Sequence, residues 1–142
     1  MQVAQVNINR GEGATVVEIA GELDASNLAD ASKHVDAAMT ATAPRLVVDL
    51  AKLSFIDSAA VGWLARLHAR MVGKSGAVVL VAGGFVLKVF TTLGVERMIP
   101  IRGSVAEALE HLHAPRAGAL DAGGAAAAAR GADAPRSPPP PR

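Results

Sequence analysis

Asp57 and Ser58 place a carboxylate and a hydroxyl side by side in Leu53-Ser-Phe-Ile-Asp-Ser-Ala-Ala-Val-Gly-Trp-Leu64, where a strand and its loop run into an apolar helix. An aspartate is favoured at an N-cap because its carboxylate accepts free amide protons of the first turn. With Asp57 in that role, Ser58 occupies the first helical position and its hydroxyl stays free. A phosphate there would bring nearly two negative charges, softened locally by the helix dipole. A protein docked over it would meet new volume and an unpaired charge, at a cost of several kcal/mol, roughly a thousandfold in affinity. The same two residues also read simply as a cap.

Advancing about 100° per residue from Ser58 predicts a core side of Leu64, Leu67, His68 and Met71, with Val61 and Val72 at its margin. Arg66 and Arg70 are expected in solvent. Between the two faces runs a strip of small residues, Ser58, Gly62, Ala65 and Ala69, bounded on its other side by Trp63. A neighbouring helix of the same domain or a docked partner would each fit against it.

Other chemistry is weakly supported. Gly73-Lys-Ser75 matches the end of a phosphate-binding loop, but His68 stands where that motif needs its first glycine, and the segment joins a helix to a strand rather than the reverse. His111-Leu-His113 lacks a third ligand, and residues two apart on a helix do not converge on one metal. A phospho-aspartate receiver needs paired carboxylates after its first strand, where this chain has Asn7, Asn9 and Arg10. No Gly-x-Ser-x-Gly elbow accompanies Ser58, so a hydrolase triad is not indicated. The expectation is a protein that is not an enzyme, with no cofactor and no metal.

The elements that would position Asp57 and Ser58 follow from periodicity. Ala4, Val6 and Ile8 alternate with Gln5, Asn7 and Asn9, and Gly11-Glu-Gly13 turns the chain into a second strand, Ala14–Ala20. Gly21-Glu-Leu-Asp24 leads into a helix over Ala25–Thr40, with Asp24 or Ser26 as its cap and Leu28, Val35 and Met39 on one face, ended by Ala43-Pro44. Leu46–Leu50 and Ala77–Ala82 are short apolar runs typical of interior strands. Between them a helix spans about Ser58–Val72, stopped by Gly73. Then come a helix Phe85–Leu93 capped by Gly94, a short strand near Met98–Ile101, and a last helix from Ser104, where Ser104-x-x-Glu107 is a capping box. The order ββαβαβαβα predicts an α/β domain with a mixed sheet of about five strands, about four helices, and parallel neighbours wherever a helix intervenes.

The chain has 142 residues, of which 51% are hydrophobic, enough for one domain with a core. It contains no cysteine, which suits the cytosol, and no signal peptide or membrane-spanning run is evident, so a soluble, unexported, cytoplasmic protein is expected. Residues 1–113 carry ten Lys/Arg and eleven Asp/Glu, a net charge of −1, against +2 for residues 114–142. With no basic stripe and only four aromatics, nucleic-acid binding is not expected. In residues 114–142, Ala, Gly and Pro make up 21 of 29 positions, a composition that cannot bury enough apolar area to offset chain entropy, and a disordered tail is expected. Its Pro138–Pro141 run would suit a proline-binding groove, and an inert tail is the simpler reading.

The chain resembles the STAS domain family of anti-sigma factor antagonists over about residues 3–113. The resemblance is carried by Gly21-Glu-Leu-Asp24, Leu46-Val-Val-Asp-Leu50, Phe55-Ile-Asp-Ser-Ala-Ala-Val-Gly62 and Val89-Phe-Thr-Thr-Leu-Gly-Val95. It implies partner switching. The unphosphorylated antagonist binds an anti-sigma factor that is also a serine kinase and releases a sigma factor; that kinase phosphorylates the serine matching Ser58, and a metal-dependent serine phosphatase restores it. The resemblance also implies partner contacts near Asp24, Asp57, Ser58, Gly62 and Ala65. One departure is Ala60, where many members carry glycine. A non-switching STAS adaptor, packed on a transporter ATPase or in a stress-signalling assembly, shares the same landmarks, and the apolar helix Phe85–Leu93 leaves a ligand or lipid contact open.

Overall fold

The computed structural model describes residues 5–11, 13–39 and 44–113; the expected tail at 114–142 lies outside the described residues. The elements are β1 (Gln5–Gly11), β2 (Ala14–Leu23), α1 (Leu28–Ala38), β3 (Arg45–Asp49), β4 (Leu53–Ile56), α2 (Ser58–Gly73), β5 (Ala77–Val81), α3 (Gly84–Leu93), a 3₁₀ turn (Val95–Arg97), β6 (Ile101–Arg102) and α4 (Val105–His113). The main sheet runs β1-β2-β3-β5-β6, and β4 pairs with β2. The β1–β2 hairpin is antiparallel, with Gly11 opposite Ala14. Every strand pair joined across a helix is parallel: β2–β3, β3–β5 and β5–β6.

Alternation explains why β3 and β5 are nearly all apolar. Successive strand side chains point to opposite faces, and both faces of this sheet are covered. Leu46, Val48, Val78 and Leu80 join a core with Ala31 and Val35 of α1, Leu64 and Leu67 of α2 and Phe90 of α3. Val47, Val79 and Val81 face the other way, against Ala108 and Leu112 of α4. The fully buried Phe90 alone contributes roughly 1.5–3 kcal/mol by leaving water.

The strand that periodicity does not separate from its loop is β4, and it matters most for the site. β2 is long enough to pair twice, with β3 through Thr15–Glu18 and with β4 through Gly21–Leu23. The pairing shifts register between Gly21 and Glu22. Gly21 has φ 98°, a left-handed conformation that costs a residue with a side chain 1 kcal/mol or so. At the other end of the joint, the Asp49 carboxylate accepts the Ala51 amide at 3.0 Å, and the Leu53 amide donates to Leu50 at 3.1 Å. This tight turn directs β4 beside the end of β2, so Leu23 and Ile56 are paired directly and their successors lie next to each other.

Several boundaries differ from the sequence reading. α1 starts at Leu28 with Asn27 as an N-cap that makes no side-chain capping bond, because the residues before it form a separate turn. The last strand is Ile101–Arg102, later than expected, since Val95–Arg97 adopts a 3₁₀ turn and leaves Met98 exposed. α3 ends at Gly94, φ 75°, as its left-handed cap. The predicted capping box of α4 forms in shifted form: Ser104 Oγ accepts the Glu107 amide at 3.2 Å, while Glu107 Oε1 accepts the amide of Gly103 rather than that of Ser104.

Candidate functional site

α2 brings most of the candidate residues together. Its buried residues are Ala60, Trp63, Leu64, Leu67 and Met71, which centre the core face nearly opposite Ser58 on the helix. Trp63 is therefore a core residue, only 7% exposed, and not a surface boundary. Leu64, Leu67 and Met71 are buried as predicted, but the face is rotated: Val72, expected at its margin, is 54% exposed, and His68 is half-buried, its enclosed Nδ1 without a hydrogen-bond partner among the described residues. Ala60, in the first turn of the helix, is fully buried. Arg70 is exposed as expected, but it ties α2 to α1 through Asp36 at 2.6 Å.

Asp57 is the N-cap, in extended conformation at φ −109° and ψ 177°. Its Oδ1 accepts the Ala60 amide at 3.0 Å, which satisfies a free donor of the first turn. Its Oδ2 accepts the amide of Ala25, in the loop between β2 and α1, at 3.1 Å. The Asp57 amide donates back to the Leu23 carbonyl at 3.3 Å. Both carboxylate oxygens are thus engaged. Ser58 follows as the first helical residue, exposed, with no hydrogen bond to its hydroxyl among the described residues.

Asp24 sits across this junction. Its Oδ1 accepts from the Ser26 hydroxyl at 2.6 Å and from the Ser26 amide at 2.9 Å. The Ser26 hydroxyl, then its amide, holds the Asp24 carboxyl below its ordinary pKa. Asn27 completes the turn: its side-chain carbonyl accepts the Asp24 amide at 3.0 Å, and its side-chain amide donates to the Glu22 carbonyl at 2.7 Å. Asp24 thus caps a tight loop instead of α1. Sequence reading missed Asn27, although Asp24-Ala-Ser-Asn27 is a run rich in side chains that bond nearby backbone in turns.

The small strip is open. Gly62 and Ala65 are half-buried and Ala69 is exposed. Among the described residues, a side-chain carbon placed on Gly62 would meet only the Arg66 guanidinium, at 3.4 Å, so no described neighbouring element packs on the strip at Gly62. Asp24, Asp57 and Ser58 therefore cluster at the head of α2, and Gly62 and Ala65 continue from Ser58 along the helix surface.

Two aromatics near this cluster were not singled out by sequence. Phe55 of β4 and Phe85 of α3 stack with ring centroids 6.3 Å apart and planes 15° off parallel, yet they are 40% and 54% exposed. Phe55 stands three residues before Ser58. Its partner is thirty residues further on, so no local pattern could pair them. Elsewhere, a cavity of about 240 Å³ lined by Asn7, Asn9, Glu18 and Asp49 opens on the α4 side of the sheet. No cluster of three metal-ligating side chains occurs among the described residues, and none of the helices there is long and apolar enough to cross a membrane.

Comparison with solved structures identifies this arrangement of strands and helices. An anti-sigma factor antagonist from Mycobacterium paratuberculosis matches with a TM-score of 0.71 at 22% identity, over 77% of this chain and 93% of its own. An anti-sigma-factor antagonist (STAS) domain protein from Planctomyces limnophilus matches with a TM-score of 0.67 at 19% identity, over 78% and 99%. The Bacillus cell fate determinant SpoIIAA, in its phosphorylated form, matches with a TM-score of 0.59 at 20% identity, over 77% and 100%. At these identities the shared property is the fold. None of the curated proteins matches the chain. The sequence profile of the STAS domain matches residues 5–108, most of the chain and every element of the sheet, and the chain therefore belongs to the STAS domain family.

Proposed function

We propose that this STAS protein is an anti-sigma factor antagonist that binds a serine-kinase anti-sigma factor, releases a sigma factor, and is switched off by phosphorylation of Ser58. The observation that carries the reading is the division of labour at the head of α2. Asp57 supplies both the cap and the loop tether, which leaves the neighbouring hydroxyl exposed and unengaged. A fold relative, SpoIIAA, is described in a phosphorylated form, which supports a covalent switch on this scaffold. The partner surface comprises Asp24, Asp57, Ser58, Gly62 and Ala65. The protein acts by occupancy and not as an enzyme; the nucleotide and the transfer chemistry belong to the kinase, and a serine phosphatase resets the site in the cytoplasm.

A phosphate on an exposed hydroxyl leaves the core untouched, while a partner seated there must desolvate it. The expected loss of affinity is roughly a thousandfold. Incubation with ATP and the candidate kinase, followed by intact mass measurement and site mapping, is expected to add one phosphate, at Ser58. In a titration against the same partner, Ser58→Ala binds constitutively and Ser58→Glu binds poorly. Equal affinities for the two variants would overturn the switch, and recovery of transporter subunits on the same surface would identify an adaptor instead.

A further inference from the structure

We infer that Arg66 is the internal counter-charge for a phosphate on Ser58, reached across the gap that Gly62 leaves in the surface of α2. Ser58, Gly62 and Arg66 stand at i, i+4 and i+8 of one helix, and so lie in a row on one side of it. Long side chains on a helix lean toward its N-terminus. Arg66 does so here: its guanidinium lies 3.4 Å from the point a Gly62 side-chain carbon would occupy, a full turn nearer Ser58 than its own backbone. Residues four apart on a helix have side-chain carbons about 5–6 Å apart, a gap that the added bonds of a phosphoserine span.

Arg66 also lacks a competing partner. It forms no hydrogen bond or ion pair among the described residues, whereas Arg70 on the same helix is engaged by Asp36. A bidentate guanidinium suits a phosphate dianion. The pairing folds the phosphate back over Gly62. It thereby fills the small strip with its own volume, and the modified state excludes a docked protein by occupying its seat as well as by charge.

This inference rests on reading Ser58 as the phosphate acceptor, so the test installs the phosphate without a kinase. Phosphoserine is incorporated at position 58 of the full chain during translation, and the ³¹P resonance is titrated from about pH 4.5 to 8, across the second phosphate ionisation. The expected midpoint in the otherwise native chain lies about 0.3 pH or more below that of Arg66→Gln, with the difference shrinking toward zero near 1 M salt. Arg66→Lys retains part of it, and Gly62→Leu, which fills the gap with a helix-compatible side chain, abolishes it. Superimposable titrations for the native chain and Arg66→Gln would overturn the pairing. A clear difference here alongside failure of any kinase to label Ser58 would instead sink the proposed switch and leave the pairing standing.

Discussion

The carboxylate of Asp57 is divided between two elements: one oxygen holds the first turn of α2 through Ala60, and the other holds Ala25, 32 residues earlier, at 3.1 Å. The second bond ties the β2–α1 loop to the head of α2. It also holds Asp24 close to Asp57, since Asp24 immediately precedes Ala25 in the chain.

Asp57→Ala removes both bonds and should destabilise the domain by about 1–3 kcal/mol, read from urea unfolding. Asp57→Asn keeps an acceptor for Ala60 but turns a donor toward the Ala25 amide. Amide exchange at Ala25 should then accelerate while the α2 amides keep their protection. Unchanged exchange at Ala25 in Asp57→Asn would show that the tether contributes nothing.

Asp24 has a defined acid response. Its pKa is lowered in the folded state, chiefly by the Ser26 hydroxyl and then by the Ser26 amide. The unfolded chain therefore takes up the proton first as pH falls. The stabilising contribution is complete above the unfolded carboxylate pKa and is lost as pH drops through the lower folded value. Ser26→Ala should move the Asp24 carboxyl midpoint upward in a ¹³C titration, and a midpoint that stays in place would refute the hydroxyl's role.

The exposed stack of Phe55 on Phe85 should cost little to break in the free protein. Phe85→Ala is expected to lose about 1 kcal/mol of stability, near the measured worth of aromatic pairs. If the partner covers the head of α2, the same variant loses tenfold or more in affinity, because aromatic anchors dominate interfaces. Calorimetric binding of the proposed anti-sigma factor partner with undiminished affinity would place these rings outside the contact.

Trp63 offers a fluorescent reporter of the core, being the sole tryptophan and 7% exposed. Its native emission should be blue-shifted and move red on unfolding in step with the loss of helical circular dichroism. Trp63→Ala should cost about 3–5 kcal/mol through the cavity it leaves. Native emission already at the solvent-exposed wavelength would contradict its burial.

Much of this protein was legible as pattern. The alternation in β1, the apolar runs of β3 and β5, the cap at Asp57 and the glycine stop of α3 depend on residues adjacent in the chain, where propensity and period act directly. The same local rules placed Ser58 at the first position of its helix. They found Leu64, Leu67 and Met71 for the core face of α2 but not how far that face turns, because a wheel gives relative directions only and the side that turns inward is chosen by the neighbours. Here Ala60 and Trp63 were drawn into the core and Val72 was left out.

What sequence alone determined, then, was every helix, every strand but β4, and the placing of Ser58 directly after the Asp57 cap. Tertiary structure alone decided that β2 pairs with both β3 and β4, that Asp57 reaches Ala25, that Phe55 meets Phe85, and that among the described residues only Arg66 comes near the open side of Gly62. The physical reason is that each of the first three contacts joins residues about thirty or more apart, or strands separated by a helix, while the fourth depends on which face the core leaves bare. Such contacts depend on how the sheet bends at Gly21 and closes over the helices, and no periodicity of a single segment encodes that.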